Sequence, residues 1–399
     1  MTGPAKPESL RVLYLTDVAA PRVNGVSTSI RIFRRELAAL GIETPLVAPA
    51  YGREEAEPGV VRVGGRKVPL DPEDRFVSPR RLAAAARPLA FDLVHVQTPF
   101  SAHLAGRRLA RERGVPLVET WHTDFEHYFE HYLSLVPAAV ARRLARALAR
   151  RVGRGVDRLI VPSAAIDRVL EEYEIATPRT VVPTGISPGE LGAGSRERFR
   201  AAHGIPAERP VAVHVGRIAG EKNLDFLLRA ADLVRRELPG FLLVVAGEGP
   251  AKPALRALAE ELGLGPHLLW VGYLDRGREL ADAYCAGDLF AFSSRTETQG
   301  LVLLEAMSLG VPVVALAERG TKDFLEEGRG ALVPPHDERA FAEAMLRLIR
   351  DGALRARLAA EARDLASSWT AAAFARRLAA IYRELVAAGR RHGAAILSS

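Results

Sequence analysis

Short apolar runs that alternate with helical stretches constrain the fold of this chain more than any other feature. In the first half, residues 12–16 and 93–97 read as buried strands, and residues 101–113 read as a helix. The second half repeats the alternation, with strands at 211–215 and 289–292. Strands separated by helices favour a parallel sheet covered on both faces. The sequence therefore predicts an α/β fold with doubly wound sheets.

The chain is long enough for two domains of ordinary size, since it has 399 residues. Residues 183–189 are rich in proline and glycine and read as a domain boundary. We expect one Rossmann-like domain over residues 1–185 and a second over residues 186–369. A last amphipathic helix is expected at about residues 370–390.

The amino-acid composition indicates the cellular compartment in which the protein is expected. Cys285 is the single cysteine, so no internal disulfide can form, which fits a reducing compartment. The first ten residues lack the apolar core of a signal peptide. No run of about 18 apolar residues occurs that could span a membrane. These features favour a cytoplasmic protein.

Positive charge is concentrated in the first half of the chain. The net charge is +7; residues 1–185 hold 27 Lys+Arg and 21 Asp+Glu, and the remainder holds 28 and 27. A basic half can serve an anionic lipid surface, a nucleic acid or only solubility.

The segment 131–156 contains no acidic residue and reads as an amphipathic helix. An apolar stripe of Val140, Leu144, Leu148 and Val152 is expected to pack inward. One interpretation is a helix with a solvated cationic face, and the other is a helix that lies against anionic lipid. The cations that would then contact the membrane are Arg142, Arg143, Arg146, Arg150 and Arg154.

The stretch 294–307 joins the strand at 289–292 to an apolar helix through a polar loop. The helix start offers backbone N–H groups at the carboxyl edge of a sheet, where phosphates bind. Glu297 can accept hydrogen bonds from sugar hydroxyls, and Glu305 from a ribose diol. As isolated acids they would read as a solvated loop residue and a helix charge. The apolar neighbours of Glu305 favour function, because a buried acid needs a partner.

Three further loops have residues suited to a nucleotide diphosphate. Asn24 and Gly25 open a helix after the first strand, and Ser27 or Thr28 can cap it. Arg217 and Lys222 flank another helix start, where two cations can neutralise a diphosphate. A backbone edge suited to a nucleotide base follows the strand at 268–271, at Gly272, Tyr273 and Leu274.

The stretch 121–132 collects histidines, aromatic residues and acids. His127 and His131 have the i, i+4 spacing of metal ligands, but the H-E-x-x-H signature is absent. The aromatic content favours a groove for an acceptor or a sugar. His122 directly follows a strand end, where active sites of α/β folds collect; the alternative is a capping or packing histidine.

Together these motifs resemble the retaining GT-B glycosyltransferases of family four over about residues 10–385. The resemblance rests on four groups of residues: Asn24-Gly25-Val26, His122-Thr123-Asp124, Arg217 with Lys222, and Glu297 with Glu305. Gln299 departs from the family, which commonly has an aromatic residue there. The resemblance implies two Rossmann-like doubly wound domains facing across a cleft. The first would be the acceptor side and carry the last helix, and the second would bind the nucleotide sugar.

The resemblance also implies roles for residues by position. His122 would lie beside the anomeric carbon and the acceptor, and Glu297 would hold the sugar; these are the catalytic candidates. Asp124 and Tyr128 would lie on the acceptor side. The donor would contact Asn24, Gly25, Arg217, Lys222, Gly272, Tyr273, Leu274, Thr298, Gln299, Gly300, Leu301 and Glu305.

The implied reaction is transfer of a hexose from a nucleotide sugar, with no cofactor. No D-x-D pair for a metal–diphosphate clamp occurs in the sequence, which favours metal-independent transfer. Within the family, the motifs most resemble those of diacylglycerol glucosyltransferases. This resemblance implies UDP-glucose as the donor, a lipid acceptor and a peripheral position on an anionic membrane. The alternatives are a GDP-mannose-dependent mannosyltransferase and transfer to a soluble polyol or sugar.

Two other classes of protein fit less well. A nucleic-acid-binding module could use the basic first half, but no recognised nucleic-acid motif occurs. A dehydrogenase is disfavoured because residues 17–25 lack the G-x-G-x-x-G fingerprint.

Overall fold

A computed structural model describes residues 9–22, 24–52, 54–68, 71–122, 138–187, 191–275, 277–325 and 329–397. The chain forms two compact units. Unit 1 comprises Met1–Gly185 and Ala371–Ser399, and unit 2 comprises Ile186–Thr370. Among the described helices, none is long and apolar enough to cross a membrane.

Unit 1 contains a seven-stranded parallel sheet in the order β3-β2-β1-β6-β7-β8-β9 and an antiparallel pair, β4-β5. Its described strands are β1 Val12–Leu15, β2 Leu46–Ala50, β3 Val60–Gly64, β4 Arg66–Val68, β5 Asp71–Phe76, β6 Leu93–Val96, β7 Leu117–Thr120, β8 Arg158–Val161 and β9 Arg179–Val181. Its described helices are α1 Gly25–Ala39, α2 Pro79–Ala86, α3 Ser101–Arg113, α4 Ala138–Gly153, α5 Ala164–Glu172 and, after unit 2, α13 Ala371–Leu397.

Both faces of this sheet are buried, as the continuous apolar runs of the strands require. Leu13 and Leu15 of β1 pack in one core, with residues of α2, α3 and α4. Val12 and Tyr14 pack in the other, with residues of α1 and α13. All four side chains are fully buried, and each buried aliphatic side chain contributes about 1.5–3 kcal/mol.

Unit 2 contains a six-stranded parallel sheet in the order β12-β11-β10-β13-β14-β15. Its described strands are β10 Val211–Val215, β11 Leu242–Ala246, β12 Leu268–Gly272, β13 Leu289–Phe292, β14 Val313–Ala315 and β15 Ala331–Leu332. Its described helices are α6 Arg196–Ala202, α7 Leu224–Glu237, α8 Lys252–Glu261, α9 Arg278–Ala286, α10 Leu301–Ser308, α11 Glu338–Arg350 and α12 Gly352–Ser368. The helices again cover both faces, in two apolar clusters.

The order of strands reverses once in each sheet, at the first strand of each unit. In unit 1, β1 lies between β2 and β6, so the reversal falls between β1 and β6. In unit 2, it falls between β10 and β13. Loops from the two neighbouring strands diverge at such a point and leave room for a ligand at the carboxyl edge.

Unit 1 departs from its sequence pattern at two places. Residues 51–75 have the charges, glycines and prolines of an irregular segment, but β3, β4 and most of β5 lie there; these residues suit a sheet edge and a hairpin, where period-two burial is weak. Asn24 caps α1, in place of Ser27 or Thr28: its Oδ1 accepts a hydrogen bond from Ser27 N at 2.9 Å.

The inward face of α4 also differs from the expectation. Val140 and Leu144 are each 47% exposed, whereas Ala145 and Ala149 are fully buried. Val152 is buried as expected, and Leu148 packs partly against the same core. Alanines on the inner face let the helix lie close to the sheet, so the larger apolar side chains are displaced toward solvent.

Candidate functional site

The reversal point of unit 2 brings together the loop after β10 and the loop after β13. Thr296 Oγ1 donates to Glu221 O at 3.2 Å, and Ser293 Oγ donates to Lys222 O at 3.2 Å. Asn223, in the left-handed conformation with φ of 57°, donates from Nδ2 to Ser293 O at 3.1 Å. These bonds hold the two loops together and so preorganise the site.

Lys222 and Glu297 form an ion pair at this point, with Nζ 2.5 Å from Oε1. Their side chains are 21% and 18% exposed, so the pair remains accessible. Burial opposes ionisation of Glu297, but the Lys222 charge and its hydrogen bond lower the pKa of Glu297 below the ordinary value. The sequence assigned these residues to different parts of the donor, and the structure places them in direct contact.

Arg217 lies in the same loop as Lys222. Its Nη1 is 3.6 Å from Glu221 Oε1, and its side chain is 31% exposed. Arg217 therefore adds a second accessible cation to the loop after β10, as a diphosphate site needs.

Gly300 begins helix α10 with a left-handed φ of 88°. A Cβ at this position would stand 2.9 Å from Thr321 Cγ2 and 3.1 Å from Leu303 Cδ1. Both the conformation and the packing therefore require glycine. The first-turn N–H groups of α10, from Leu301 onward, provide an anion-binding helix start.

The turn 318–321 packs against the loop 294–300 that precedes α10. The sequence did not predict this contact. Gly320 N donates to Glu297 O at 2.9 Å, and a Cβ at Gly320 would stand 1.9 Å from Thr298 O. Thr298 is half-buried and Gln299 is buried, so Gln299 belongs to the packed side of this loop. The only sequence signal was the glycine-containing turn itself.

Glu305 is 2% exposed, and Tyr284 Oη donates to its Oε2 at 2.9 Å. Tyr284, on α9, is fully buried, and its contact with Glu305 was not visible in the sequence. The hydroxyl holds one carboxylate oxygen in place, as a fixed acceptor for a diol would require.

His214 fills the gap where β10 and β13 separate, and it was also missed. Paired residues of the two strands end at Val213 and Phe290. Beyond them, His214 Nδ1 lies 3.0 Å from Ala291 O, so this nitrogen carries the hydrogen and donates it. Burial lowers the pKa of His214 to about 4, so the ring is neutral at neutral pH.

The expected base-binding edge lies at the end of β12. Gly272 has a φ of 73°, and its carbonyl accepts a hydrogen bond from Gly247 N at 2.7 Å. Tyr273 is 54% exposed, and Leu274 is half-buried against the core. An exposed ring beside a fixed backbone edge can stack on a base.

In unit 1, Asn24 and Gly25 form the start of α1 after β1. The Asn24 side chain is engaged as the cap, and Ser27 Oγ accepts from Asn24 N at 3.1 Å. Among the described residues other than its chain neighbours, none has an atom within 4 Å of a Cβ built on Gly25, so the backbone here allows close approach.

His122 stands just beyond β7. Trp121 N donates to Ile160 O at 2.8 Å, which extends the sheet up to this point. His122 Nε2 lies 3.3 Å from Gln97 Oε1. Burial lowers the pKa of His122 to about 4, so it is neutral at neutral pH. Asp124, Tyr128, His127 and His131 lie outside the described residues.

The predicted membrane cations lie on and just after α4. Arg142, Arg143, Arg146 and Arg154 are exposed. Arg150 is partly engaged, since it donates to Tyr173 O at 2.8 Å and pairs with Glu174. A groove of about 540 Å³ is lined by Arg142, Arg143, Arg146, Ala147 and Arg150.

The described residues contain no group of three or more histidine, cysteine or acidic side chains that could hold a metal ion. The cations and the helix start at the unit 2 reversal point are groups that can bind a diphosphate.

Two family models match the chain, one in each half. Residues 23–190 match "Glycosyltransferase Family 4", and residues 195–365 match "Glycosyl transferases group 1". An alpha-monoglucosyldiacylglycerol synthase of Streptococcus pneumoniae is 31% identical over 77% of this chain and 71% of its own length. A D-inositol 3-phosphate glycosyltransferase of Saccharomonospora viridis is 33% identical over 84% of this chain and 82% of its own length.

The fold is shared with a solved sucrose-phosphate synthase of Thermosynechococcus elongatus. That structure superposes with a TM-score of 0.81 at 21% identity, over 95% of this chain and all of its own. These matches and the paired Rossmann-like sheets place the chain in glycosyltransferase family 4, as a GT-B enzyme that transfers a hexose from a nucleotide sugar.

Proposed function

We propose that the chain transfers glucose from UDP-glucose to a membrane lipid such as diacylglycerol, with retention of configuration and without a metal ion. The observation that carries the proposal is the Lys222–Glu297 pair, held between two hydrogen-bonded loops at the unit 2 reversal point. It sets a cation for an anionic leaving group beside a carboxylate for sugar hydroxyls. Similarity to the pneumococcal glucosyldiacylglycerol synthase supports glucose and the lipid.

The mechanism follows from the charge that develops on the leaving group. As the bond between the anomeric carbon and the diphosphate oxygen breaks, negative charge grows on the nucleoside diphosphate. Arg217, Lys222 and the N–H groups from Leu301 onward stabilise that charge. When the diphosphate engages Lys222, Glu297 can turn its oxygens to the sugar hydroxyls, and Glu305 accepts the ribose diol.

Retention requires the acceptor oxygen to arrive on the face that the diphosphate leaves. In a front-side attack, the acceptor hydroxyl bonds to an oxocarbenium-like carbon, and its proton passes to the departing phosphate oxygen. His122, neutral at pH 7, can hydrogen-bond the sugar or the acceptor without adding charge. Trapping of a glycosyl-enzyme intermediate on a carboxylate would overturn this route.

A lipid acceptor requires the enzyme to meet a membrane, and α4 is the surface proposed for that contact. Exposed Val140 and Leu144 stand among exposed Arg142, Arg143 and Arg146. Cations that attract anionic headgroups and apolar side chains that enter the interface are the two components of peripheral binding. The enzyme would then act peripherally, at the cytoplasmic face of the membrane.

The donor is tested by thermal shift with UDP, GDP, ADP, UDP-glucose and GDP-mannose, each with and without EDTA. A ligand that binds only the folded state raises its stability. We expect a selective rise with UDP and UDP-glucose that chelation leaves unchanged. A selective rise with GDP ligands would replace glucose transfer by mannose transfer, and dependence on a divalent ion would overturn the metal-free mechanism.

The acceptor is tested with vesicles of anionic lipid that contain diacylglycerol, using product analysis. The Arg142→Glu/Arg143→Glu variant should lose vesicle binding and lipid glucosylation, and added salt should weaken both in the native protein. The matched control is Arg376→Glu/Arg377→Glu, which makes the same change of charge at exposed arginines of α13. Equal loss in the two variants would assign the effect to net charge and overturn the role of α4.

A second candidate acceptor is a soluble polyol phosphate, favoured by similarity to the D-inositol 3-phosphate glycosyltransferase. It predicts transfer in the absence of vesicles and no effect of the α4 substitutions. The same assay run with inositol phosphate therefore separates the two acceptors.

A further inference from the structure

Gln97 occupies the position between the ends of β1 and β7. It directly follows β6, and its N–H donates to Leu15 O at 2.8 Å, which continues the β1–β6 pairing by one residue. On the other side of β6, Val96 pairs with Glu119 of β7. Gln97 is 2% exposed, so its amide is buried at the unit 1 reversal point.

One end of this amide contacts His122. Gln97 Oε1 lies 3.3 Å from His122 Nε2, and a carbonyl oxygen can only accept a hydrogen bond. The hydrogen of the neutral imidazole therefore resides on Nε2, and Nδ1 remains an acceptor. Among the described residues, Gln97 is the one whose side chain hydrogen-bonds to His122, and this bond orients the ring.

The other end of the amide is its Nε2 group, which has two N–H donors. Gln97 Nε2 is buried, and no described residue accepts a hydrogen bond from it. Buried polar groups in native proteins are nearly always paired, and a methionine would fill a similar volume without an unpaired donor. A glutamine at this position is therefore better explained by recognition than by packing.

We propose that Gln97 is a positioning residue for His122 and that its free amide N–H binds an oxygen of the sugar or of the acceptor hydroxyl. The proposal deepens the transferase function and rests on His122 acting at the reacting centre. Gln97 keeps the Nδ1 acceptor of His122 fixed, and its own N–H supplies a donor beside it. A hydroxyl could then donate to His122 and accept from Gln97.

The contact with His122 is tested first, without any substrate, by NMR of protein labelled with ¹⁵N-histidine. His122 is assigned among the 10 histidines with the His122→Gln variant. In Gln97→Glu, a carboxylate placed beside the ring should raise the His122 titration midpoint by at least about one pH unit. In Gln97→Met, the Nε2–H signal should lose its protection from solvent exchange. Unchanged His122 signals in both variants would overturn the positioning role.

Kinetics then separate the two parts of the proposal. Gln97→Met loses the acceptor and the donor, so kcat should fall by about 10–100-fold and KM should rise. Gln97→Glu keeps an acceptor for His122 but loses the N–H, so it should recover much of kcat while KM stays high. A Gln97→Met enzyme with native kcat and KM would overturn both parts.

Tyr382→Phe is the matched control within unit 1. It removes another buried hydrogen-bonding group, which contacts His95 and Tyr14 but not His122. We expect a lower Tm, with the His122 titration and KM unchanged. If every donor and acceptor fails to react, the proposed function falls, whereas the NMR titration still decides whether Gln97 positions His122.

Discussion

The two strand-reversal points share a topology but differ in charge. Between β10 and β13, Lys222 and Glu297 form a half-buried ion pair on loops that are hydrogen-bonded to each other. Between β1 and β6, the contact is made by Asp17 and Thr98: Asp17 N donates to Thr98 Oγ1 at 2.8 Å, and Thr98 Oγ1 donates to Asp17 Oδ2 at 2.7 Å. Burial raises the pKa of Asp17 to about 6, so this acid takes up a proton at a higher pH than an ordinary aspartate, and among the described residues it is a lone carboxylate at neutral pH.

Under the proposed function, this difference would divide the transfer reaction between the two sheets. Fixed opposite charges suit a ligand that is itself charged and gains charge as it leaves. Neutral hydrogen-bonding groups, such as Gln97 and His122, suit hydroxyls that only exchange a proton. The topology gives each sheet a strand-reversal point, and the side chains at that point determine which reactant it can bind.

The largest effect on activity is expected from removing the negative charge of Glu297 at the unit 2 reversal point. Glu297→Gln should lower kcat/KM by about 100–1000-fold, as the loss of a fixed transition-state contact does. Product formation with saturating acceptor measures it. Asp17→Asn is the counterpart in unit 1 and should lower kcat/KM by less than about 10-fold, since it alters neutral hydrogen bonds such as that with Thr98. Equal losses would remove the contrast between the two points.

The next effect compares two glycines at helix starts. Gly300→Ala should destabilise unit 2 by about 2–3 kcal/mol, because alanine would adopt a φ of 88° and contact Thr321 Cγ2. Gly25→Ala meets no atom of the other described residues within 4 Å and should keep or raise the Tm, while weakening donor binding. Calorimetry and nucleotide titration measure both. A stable Gly300→Ala protein would show that the loop can relax.

The contributions of Asp17 and Glu297 to the free energy of unfolding should depend on pH with opposite signs. The folded pKa of Asp17 is raised from 3.8 to about 6, so its contribution to stability is fully present below about pH 3.8 and is lost as the pH rises through 6, by about 1–3 kcal/mol. The pKa of Glu297 is lowered, so its contribution is present above the ordinary pKa of 4.5 and is lost as the pH falls. Unfolding from pH 3 to 8 measures both; Asp17→Asn should flatten the first slope and Glu297→Gln the second.

The smallest effect compares two buried tyrosine hydroxyls. Tyr284→Phe removes the donor to Glu305 and should weaken nucleotide binding by a few-fold, with a stability loss of about 1–2 kcal/mol. Tyr382→Phe should lower stability by a similar amount and leave nucleotide affinity unchanged. Isothermal titration with UDP distinguishes them, and equal affinity in both variants would detach Tyr284 from the donor site.

Most of the fold could be predicted because apolar strands and amphipathic helices leave periodic patterns. The pattern failed where burial is partial. Strands β3–β5 have charged and glycine-rich sequences that resemble loops, and the inner face of α4 is formed by alanines rather than by its larger apolar residues. The periodicity predicted that the bulky residues of α4 face inward. A sequence shows the size and polarity of each residue, but it does not show how closely a helix packs on the neighbouring sheet.

The candidate site was predictable only where a motif lies within one loop. Lys222 and Glu297 were each identified, but their contact joins residues 75 apart in the sequence and was not foreseen. Tyr284, Gln97 and His214 have no local signature, because each acquires its partner only when separate strands and helices pack together. Their roles, like those of the motif residues, stay predictions until the variants are measured.

The return of α13 to unit 1 has a consequence for biosynthesis. Tyr14 and Tyr382 hydroxyls lie 2.8 Å apart although 368 residues separate them, and α13 completes the core around β1. Unit 2 is thus translated as an insertion within an unfinished neighbour, and at ribosomal speed that wait is on the order of 10–40 s. Until α13 is made, the nascent first sheet has only α1 to cover that apolar face, so this interval is the stage of synthesis at which a chaperone has most to protect.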